Sequence, residues 1–302
     1  MIQVSQALSI VLANSSKMTT RKIKVAKSLG FILAEAIYSP MDMPPFRQSA
    51  MDGYAFLHDG SSTFELAGIS QAGDFLNRKT ENQQAIRIFT GAFVPDDLDT
   101  VVMQEHTSRS GDSLLINKMP VPSANIRKKG EQIKEKALVL KANTLINPAA
   151  IGFLACLGIT EIKVFAKPKV AIVVSGNELV KVGNKLAEGK IYESNSLMLE
   201  AALQEIGIKK TKTFAVKDNL KATIIVLKAC LSSFDIVLVS GGISVGDYDY
   251  VKEALLSNGV EELFYKINQK PGKPLFFGKK EDTLVFALPG NPASTLTSFY
   301  IY

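Results

Sequence analysis

The pattern of hydrophobic and polar positions divides the chain into stretches of different character. Apolar residues share one helical face at the start of the chain, namely Ile2, Val4, Leu8, Val11 and Leu12. The segment SLGFILAEAI at residues 28–37 is a second candidate helix. Residues 42–131 instead carry short alternating runs, such as TFELAGI and AIRIFTG, between Gly, Pro, Asp and Asn. This change predicts a small β-domain inserted into an α-rich one.

The clearest architecture begins at Pro168. Two runs rich in β-branched residues, KVAIVVS (169–175) and FDIVLVS (234–240), are typical of strands buried on both faces. Amphipathic helical segments alternate with such strands up to the last residue. The alternation predicts a doubly wound α/β domain over residues 168–302. Ligands of such domains bind beyond the carboxyl ends of the strands, where this chain places its Gly-rich and acidic loops.

The first helix of this α/β domain has recognisable end signals. Ser194 or Asn195 is its plausible N-cap, and Gly207 suits the position just after its C-terminus. A second helix is expected in NLKATIIVLKACL, which starts at Asn219.

The length of 302 residues corresponds to about two domains of roughly 150 residues. We assign residues 1–41 together with 132–167 to the α-rich domain, 42–131 to the inserted β-domain and 168–302 to the α/β domain.

Charge and hydropathy restrict the classes of function. The net charge of +6 is compatible with an anionic substrate and is too small to argue for nucleic acid. The N-terminus MIQVSQALSI does not resemble a signal peptide. The longest charge-free apolar stretch, residues 146–160, falls short of the ~18 residues that span a membrane. We therefore expect a cytoplasmic protein that binds neither a membrane nor nucleic acid.

Three loops of the α/β domain have the composition of an anion site. SGGISVGDYD combines the hydroxyls of Ser240 and Ser244 with Gly241 and Gly242, whose backbone can approach a ligand closely. A flexible glycine turn is the alternative.

The second and third loops contain proline. In LPGNPAS, which contains Pro289, Asn291 suits an N-cap and Pro292 suits the first helical position, so the helix start is a candidate anion site. In QKPGKP, Lys270 and Lys273 flank a Pro-Gly corner and suit an oxyanion. Ordinary helix punctuation and a solvated turn are the respective alternatives.

Candidate acidic residues follow several strands or turns. Asp52 lies in the loop MDGYAF, Glu178 in SGNEL, Asp218 in KDNL and Asp249 in the Gly-rich loop. Carboxylates at separate strand ends could converge on a divalent cation. The alternatives are a tight turn at Asp52 and an N-cap at Asp218 or Asp249.

Eight motifs are spread over essentially the whole chain: SAMDGYAF, FTGAFVPDDLDTVVMQE, NIRKKGE, SGNEL, GKIYESN, SGGISVGDYDY, KPGKP and LPGNPAS. In their order and spacing they resemble the motifs of the molybdopterin molybdenumtransferase (MoeA) family, which are shared by the enzymatic domain of gephyrin.

The resemblance implies an activity and an assembly. Members of the family insert molybdenum from molybdate into adenylylated molybdopterin and release AMP, with Mg²⁺ assisting. They form homodimers, in which the α-rich domain serves dimerisation and the Gly-rich domain of one subunit faces the β-domain of the other. The MDGYAF loop would then carry Asp52 across the dimer cleft.

The resemblance also implies site residues. The family's catalytic acids correspond to Asp52, Glu178, Asp218 and Asp249, of which Asp52, Glu178 and Asp249 would bind the metal. The residues that would bind molybdopterin are Thr90, Ser240, Gly241, Gly242, Ser244, Lys270, Lys273, Pro289 and Pro292.

The chain departs from the family pattern at three places. Gln132 stands in GEQ where the family has GED, and Asn177 stands in GNE where it has GDE. The sequence stops at Tyr302, where the family continues into a C-terminal β-barrel. One alternative is therefore a non-catalytic molybdopterin-binding or scaffold paralogue. A second, the related single-domain adenylyltransferase, is disfavoured by the 167 residues before the α/β domain.

Overall fold

The computed structural model describes residues 1–75, 79–243 and 250–302. Ser244 and Asp249 lie outside these ranges. The chain forms two compact units, one from Met1–Lys22 with Lys163–Tyr302 and the other from Ile23–Ile162. We call them the α/β unit and the β unit. The predicted division into three domains remains a prediction.

The described residues contain helices and strands in both units. The α-helices are α1 (Val4–Asn14), α2 (Pro148–Cys156), α3 (Asn195–Glu205), α4 (Leu220–Leu231), α5 (Tyr250–Ser257) and α6 (Pro292–Ile301). The strands are β1 (Thr20–Lys24), β2 (Ile37–Tyr38), β3 (Gln48–Ser49), β4 (Gly53–Phe56), β5 (Thr63–Ser70), β6 (Gln84–Ile88), β7 (Thr100–Met103), β8 (Thr107–Ser110), β9 (Ser113–Ile116), β10 (Ile126–Arg127), β11 (Leu138–Leu140), β12 (Glu161–Phe165), β13 (Val170–Ser175), β14 (Leu179–Val180), β15 (Ile191–Tyr192), β16 (Thr211–Val216), β17 (Ile236–Ser240), β18 (Glu261–Tyr265), β19 (Phe276–Lys280) and β20 (Thr283–Leu288). Short 3₁₀ helices span Val25–Lys27 and Gln104–His106.

The α/β unit contains a six-stranded sheet in the order β16-β13-β17-β20-β19-β18. The first four strands in this order are parallel, and β19 and β18 are antiparallel additions at one edge. Every residue of β13 is buried, as its β-branched sequence predicted. The parallel strands bring the loops after β13, β17 and β20 to one edge of the sheet, because their carboxyl ends point the same way.

Both faces of this sheet are covered, which confirms the doubly wound arrangement. On one face, Val173 and Val239 pack with Leu227 of α4 and Leu255 of α5. On the other face, Ile172 packs with Leu199 of α3, and the buried residues Ala7 and Val11 of α1 belong to the same cluster. Alternate residues of each strand thus pack into the cores on opposite faces of the sheet.

No helix of the described residues is long and apolar enough to cross a membrane.

The predicted end signals hold for α6 and for the C-terminus of α3, but the side-chain caps expected at Ser194 or Asn195 and at Asp218 do not form. Asn219 caps α4 through a bond from the Ala222 amide, and Asn291 caps α6, where Pro292 holds the first position. Gly207 follows α3 with a φ of +78°, the left-handed conformation that favours glycine. Ser194 occupies the N-cap position of α3 without a side-chain bond.

The β unit contains a six-stranded sheet in the order β7-β4-β6-β5-β9-β8. β4 lies between β6 and β7, antiparallel to both. A Cβ at Gly53 would come within 1.7 Å of the Val102 carbonyl oxygen, so only glycine allows β4 to lie this close to β7. Gly53 of the Asp-Gly pair is thus the first residue of a buried strand.

The second predicted helix, at residues 28–37, is wrong. Gly30 has a φ of +70°, which ends any local helical turn. The backbone here bonds to a distant segment instead: the Gly30 amide donates to Ile146, and the Leu33 amide donates to Thr144. This long-range pairing satisfies the amides that a helix would have satisfied locally, and the apolar periodicity did not distinguish the two.

Candidate functional site

A cavity of about 380 Å³ lies at the carboxyl ends of the parallel strands of the α/β unit. Segments after β13, β17 and β20 and the start of α3 form its wall. The lining residues are Val174, Ser175, Glu178, Leu179, Ile191, Tyr192, Glu193, Ser194, Asn195, Ser240, Gly241, Gly290, Asn291 and Pro292. Predicted site residues from three separate loops, Glu178, Ser240 with Gly241, and Pro292, are therefore in one place.

The Gly-rich loop after β17 requires its glycines. Gly241 has a φ of +92°, and a Cβ on it would lie 2.4 Å from the Ser175 carbonyl oxygen. Gly242 has a φ of +67°, and its Cβ would lie 2.7 Å from Val251 Cγ2. The loop is therefore pressed against β13 and α5 in a conformation that side chains disfavour. Glycine at both positions is therefore required by the local packing.

The loop after β20 ends at the start of α6. The Asn291 carboxamide oxygen accepts a hydrogen bond from the Ser294 amide at 3.2 Å, and the Thr295 amide bonds to the Asn291 carbonyl. Pro292 has no N–H, so the Ala293 amide is the first-turn donor without an intrahelical acceptor. The buried Pro289 accepts from the Thr295 hydroxyl through its carbonyl oxygen, which fixes the loop on the helix.

Asp218 is held by Ser175, the last residue of β13, and by Asn177, which follows the strand. Its carboxylate accepts from the Ser175 hydroxyl at 2.8 Å and from the Asn177 amide at 2.9 Å. In return, the Asn177 side-chain oxygen accepts from the Asp218 amide at 3.3 Å. Because Asn219 caps α4, the alternative that Asp218 is the N-cap is wrong.

Glu178 differs from Asp218 in that no described residue bonds to its carboxylate. The residue is exposed, and the described residues give that carboxylate neither a hydrogen bond nor an ion pair. A free carboxylate at the wall of a cavity is available for a cation or a ligand donor.

Lys270 and Lys273 lie in a turn that contains a cis Lys270–Pro271 peptide bond. Both lysines are exposed, and their ammonium groups have no hydrogen-bond or ion-pair partner among the residues that the structure describes. They do not line the cavity described above.

Asp52 and Thr90 form a second group, in the β unit. The Thr90 amide and hydroxyl both donate to Asp52 Oδ1, at 2.7 and 3.0 Å. The Thr90 amide bond, then its hydroxyl bond and more weakly the charge of Arg87, hold the pKa of Asp52 below its ordinary value. Asp52 is therefore an exposed, ionised carboxylate whose Oδ2 accepts nothing from the described residues.

Arg87 contacts the loop that carries Asp52. Its guanidinium donates to the Gly53 carbonyl oxygen at 2.7 Å and to Gln104 Oε1 at 2.7 Å. It also lies over the ring of Phe89, 4.6 Å from the centroid. The bond to Gly53 fixes the backbone that directly follows Asp52.

Two residues of the GKIYESN motif were missed as site residues. Glu193 accepts from the Ser196 amide at 2.8 Å and so caps α3 in place of Ser194. Asn195 bonds to Ser240 and to the Gly290 carbonyl oxygen. The motif itself was the available signal, but its sequence does not show which loops it contacts.

The predicted metal ligands are not assembled within what the structure describes. Over residues 1–75, 79–243 and 250–302 there is no group of three or more His, Cys, Asp and Glu placed to hold a metal ion. Asp249, a predicted ligand, and Ser244 lie outside those ranges.

Family models match both parts of the chain. Residues 2–158 match the MoeA N-terminal region (domains I and II), and residues 171–302 match a domain described as a probable molybdopterin binding domain.

Known proteins match over the full length of the chain. The molybdopterin molybdenumtransferase of Haemophilus influenzae is 37% identical over 99% of this chain and 75% of its own. That of Staphylococcus epidermidis is 36% identical over 100% of this chain and 74% of its own. The crystal structure of the molybdopterin biosynthesis MoeA protein from Pyrococcus horikosii superposes with a TM-score of 0.82 at 31% identity, covering 100% of this chain and 78% of that one. The chain therefore belongs to the molybdopterin molybdenumtransferase (MoeA) family.

Proposed function

We propose that the protein acts in molybdenum cofactor biosynthesis as a transferase that inserts molybdenum from molybdate into adenylylated molybdopterin and releases AMP. The observation that carries the proposal is the cavity of about 380 Å³ at the strand ends, where Glu178, the Gly241 backbone and the start of α6 meet. It lies in the segment that matches the molybdopterin-binding family model. The names of the 36–37% identical relatives support the same reaction class.

The chain's own groups suit a ligand that carries a pyrophosphate. The Ala293 amide and the N-terminus of α6 attract phosphate oxygens. The Gly241 backbone can approach the ligand because no side chain intervenes. Lys270 and Lys273, exposed and without partners in the described part of the chain, supply positive charge for molybdate or phosphate.

Mg²⁺ fits this donor set. Mg²⁺ in phosphate chemistry binds protein carboxylates together with substrate oxygens, so the described residues of one subunit need not supply a complete set of ligands. The Glu178 carboxylate, which has no partner among the described residues, suits this role. Asp249 of the same subunit and Asp52 of the partner subunit would supply further ligands. When bound, the ion would neutralise charge on the phosphate oxygens during cleavage of the pyrophosphate. Asp218, whose carboxylate oxygens accept from Ser175 and Asn177, orients the loop that carries Glu178.

We further propose a homodimer in which Asp52 and Thr90 of one subunit complete the site of the other. Support comes from the exposed Asp52 carboxylate, which its bonds to Thr90 keep ionised and oriented. An exposed anion held in one orientation suits a metal ligand or a contact to a partner.

The direct experiment is molybdate-dependent AMP release from adenylylated molybdopterin by this chain. We expect release that requires both molybdate and Mg²⁺. Asp249→Ala should abolish the release and leave molybdopterin affinity largely intact, since a metal-binding carboxylate acts mainly as the bond breaks. If Asp249→Ala instead lowers the melting temperature and leaves turnover of the folded protein unchanged, Asp249 caps a helix and is not a site residue.

The alternative, a molybdopterin-binding paralogue without transferase activity, is favoured by Gln132. Its side chain is exposed and replaces the family's carboxylate. Molybdopterin binding without AMP release under any condition would support this alternative.

A further inference from the structure

Asn195 ties together two loops of the cavity wall. Its side-chain nitrogen Nδ2 donates to Ser240 Oγ at 2.7 Å and to the Gly290 carbonyl oxygen at 2.8 Å. Ser240 ends β17, and Gly290 follows β20, the neighbouring strand in the sheet. One side chain at the start of α3 therefore joins the ends of two strands that lie 45 and 95 residues away in sequence.

The contact with Gly290 determines which way the Asn195 amide faces. A carbonyl oxygen can only accept a hydrogen bond, so the nitrogen must face it and the oxygen Oδ1 must face away. Oδ1 is buried and has no hydrogen-bond partner in the described part of the chain. Burying an unpaired oxygen is unfavourable and offsets part of what the two bonds from Nδ2 contribute to folding.

The loops that Asn195 joins are close at their backbones. A Cβ at Gly290 would lie 3.7 Å from Gly241 Cα, and both glycines line the cavity. Small changes in the spacing of these backbones would change how many ligand oxygens their amides reach.

We propose that Asn195 is a positioning residue, which fixes the spacing between the Ser240–Gly241 backbone and the Gly290–Asn291 backbone so that both contact one molybdopterin. The inference takes the identity of the ligand from the proposed function. It assigns a role to the GKIYESN motif, to which no role in the site has been given.

The substitution Asn195→Asp tests the role with almost no change of shape. At neutral pH the introduced carboxylate cannot donate and places a negative oxygen against the Gly290 carbonyl. We expect molybdopterin affinity to fall about tenfold or more, as the loss of one strong hydrogen bond would give. As the pH is lowered and the introduced carboxyl gains a proton, its O–H can donate again, so the affinity deficit should shrink.

The pH series needs two comparisons. Glu178, Tyr192 and Glu193 line the same cavity, so each affinity is divided by that of the wild type at the same pH. Asn195→Ala, which removes both bonds and adds no titratable group, should show a deficit that does not shrink at low pH.

Asn258→Asp is the matched control. The Asn258 nitrogen also donates to two carbonyl oxygens, those of Ile224 at 3.1 Å and Ala254 at 2.8 Å, within the same unit and away from the cavity. We expect it to lower the melting temperature at least as much as Asn195→Asp and to leave molybdopterin affinity unchanged.

The outcomes separate this inference from the proposed function. If the wild type binds molybdopterin but releases no AMP, the transferase reaction is contradicted. The molybdopterin affinity of Asn195→Asp relative to the wild type still tests the role of Asn195 in that case. Affinities of Asn195→Asp and Asn195→Ala close to that of the wild type, or a deficit in Asn195→Asp that persists unchanged at low pH, would overturn the role of Asn195. So would an equal deficit in Asn258→Asp, or a wild type that does not bind molybdopterin.

Discussion

Thr90 donates two hydrogen bonds to a single oxygen of Asp52, from its amide at 2.7 Å and from its hydroxyl at 3.0 Å. The residues are 38 positions apart, in the MDGYAF and TGA motifs. Because both bonds use Oδ1, the other oxygen Oδ2 can receive a cation. The pair thus links two motifs for which the sequence predicts different roles. Asp52 of the first is expected to bind the metal, and Thr90 of the second to bind molybdopterin.

Thr90→Val should raise the pKa of Asp52 towards its ordinary value. Only part of the lowering is lost, because the backbone bond from Thr90, the larger cause, remains. A lowered carboxylate pKa stabilises the folded state above the unfolded value and loses this effect as the pH falls through the folded value. The stability difference between Thr90→Val and the wild type should therefore be present at neutral pH and shrink in acid.

The measurement is an NMR titration of the aspartate side chains together with unfolding at several pH values. Asp59 is an internal control, since the Ser61 amide lowers its pKa within the same unit independently of Thr90. An unchanged Asp52 titration would show that the hydroxyl bond does not form in solution.

Local chemistry made much of the α/β unit predictable. The β-branched run of β13, the cap at Asn291 and the glycine after α3 depend on neighbouring residues alone, and each is found as expected. The segment at residues 28–37 failed because its hydrogen bonds go to residues 144 and 146. Local periodicity carries no information on such long-range pairing.

The site was only partly predictable for the same reason. Motif order indicated which residues matter, but not that Asp218 would bond to Ser175 and Asn177. Those bonds exist because β13 and β16 are neighbours in the sheet. Asn195 was considered only as a helix cap, because its partners, Ser240 at the end of β17 and Gly290 after β20, are distant in sequence.

Gly241→Ala should damage the cavity far more than a glycine substitution elsewhere. Its Cβ would lie 2.4 Å from the Ser175 carbonyl oxygen, so the backbone must shift. We expect a loss of stability of about 2 kcal/mol or more, together with loss of molybdopterin binding.

Gly259→Ala is the control for this prediction. Gly259 also has a positive φ, +78°, but nothing lies within 4 Å of its Cβ position. It should lose only about 1 kcal/mol and bind molybdopterin normally. Thermal unfolding and a binding titration on both variants give the comparison, and equal losses in both would show that the contact with Ser175 is unimportant.

Gln132→Asp should raise Mg²⁺ affinity or AMP release if the missing carboxylate limits this protein. The exposed position of Gln132 means that the substitution carries little folding penalty. Magnesium titrations of AMP release measure the effect. Gln104→Asp makes the same change of side chain elsewhere, but it is a poorer control because it also disturbs the hydrogen bond from Arg87 to Gln104. Identical magnesium dependence in Gln132→Asp and the wild type would show that the carboxylate is not needed.

The proposed sharing of the site between subunits predicts complementation. Asp52→Ala and Glu178→Ala should each inactivate the homodimer, since each removes an acid from both sites. In a dimer that contains one chain of each kind, Asp52 of the Glu178→Ala chain meets Glu178 of the Asp52→Ala chain, and one site is intact. Two differently tagged chains, co-expressed and purified through both tags, should then show about half the wild-type activity per dimer.

If Asp52 and Glu178 act within the same chain, neither subunit of the mixed dimer has both acids, and the preparation stays inactive. A mixed dimer without activity, formed from chains that fold and bind molybdopterin, would therefore exclude the shared site.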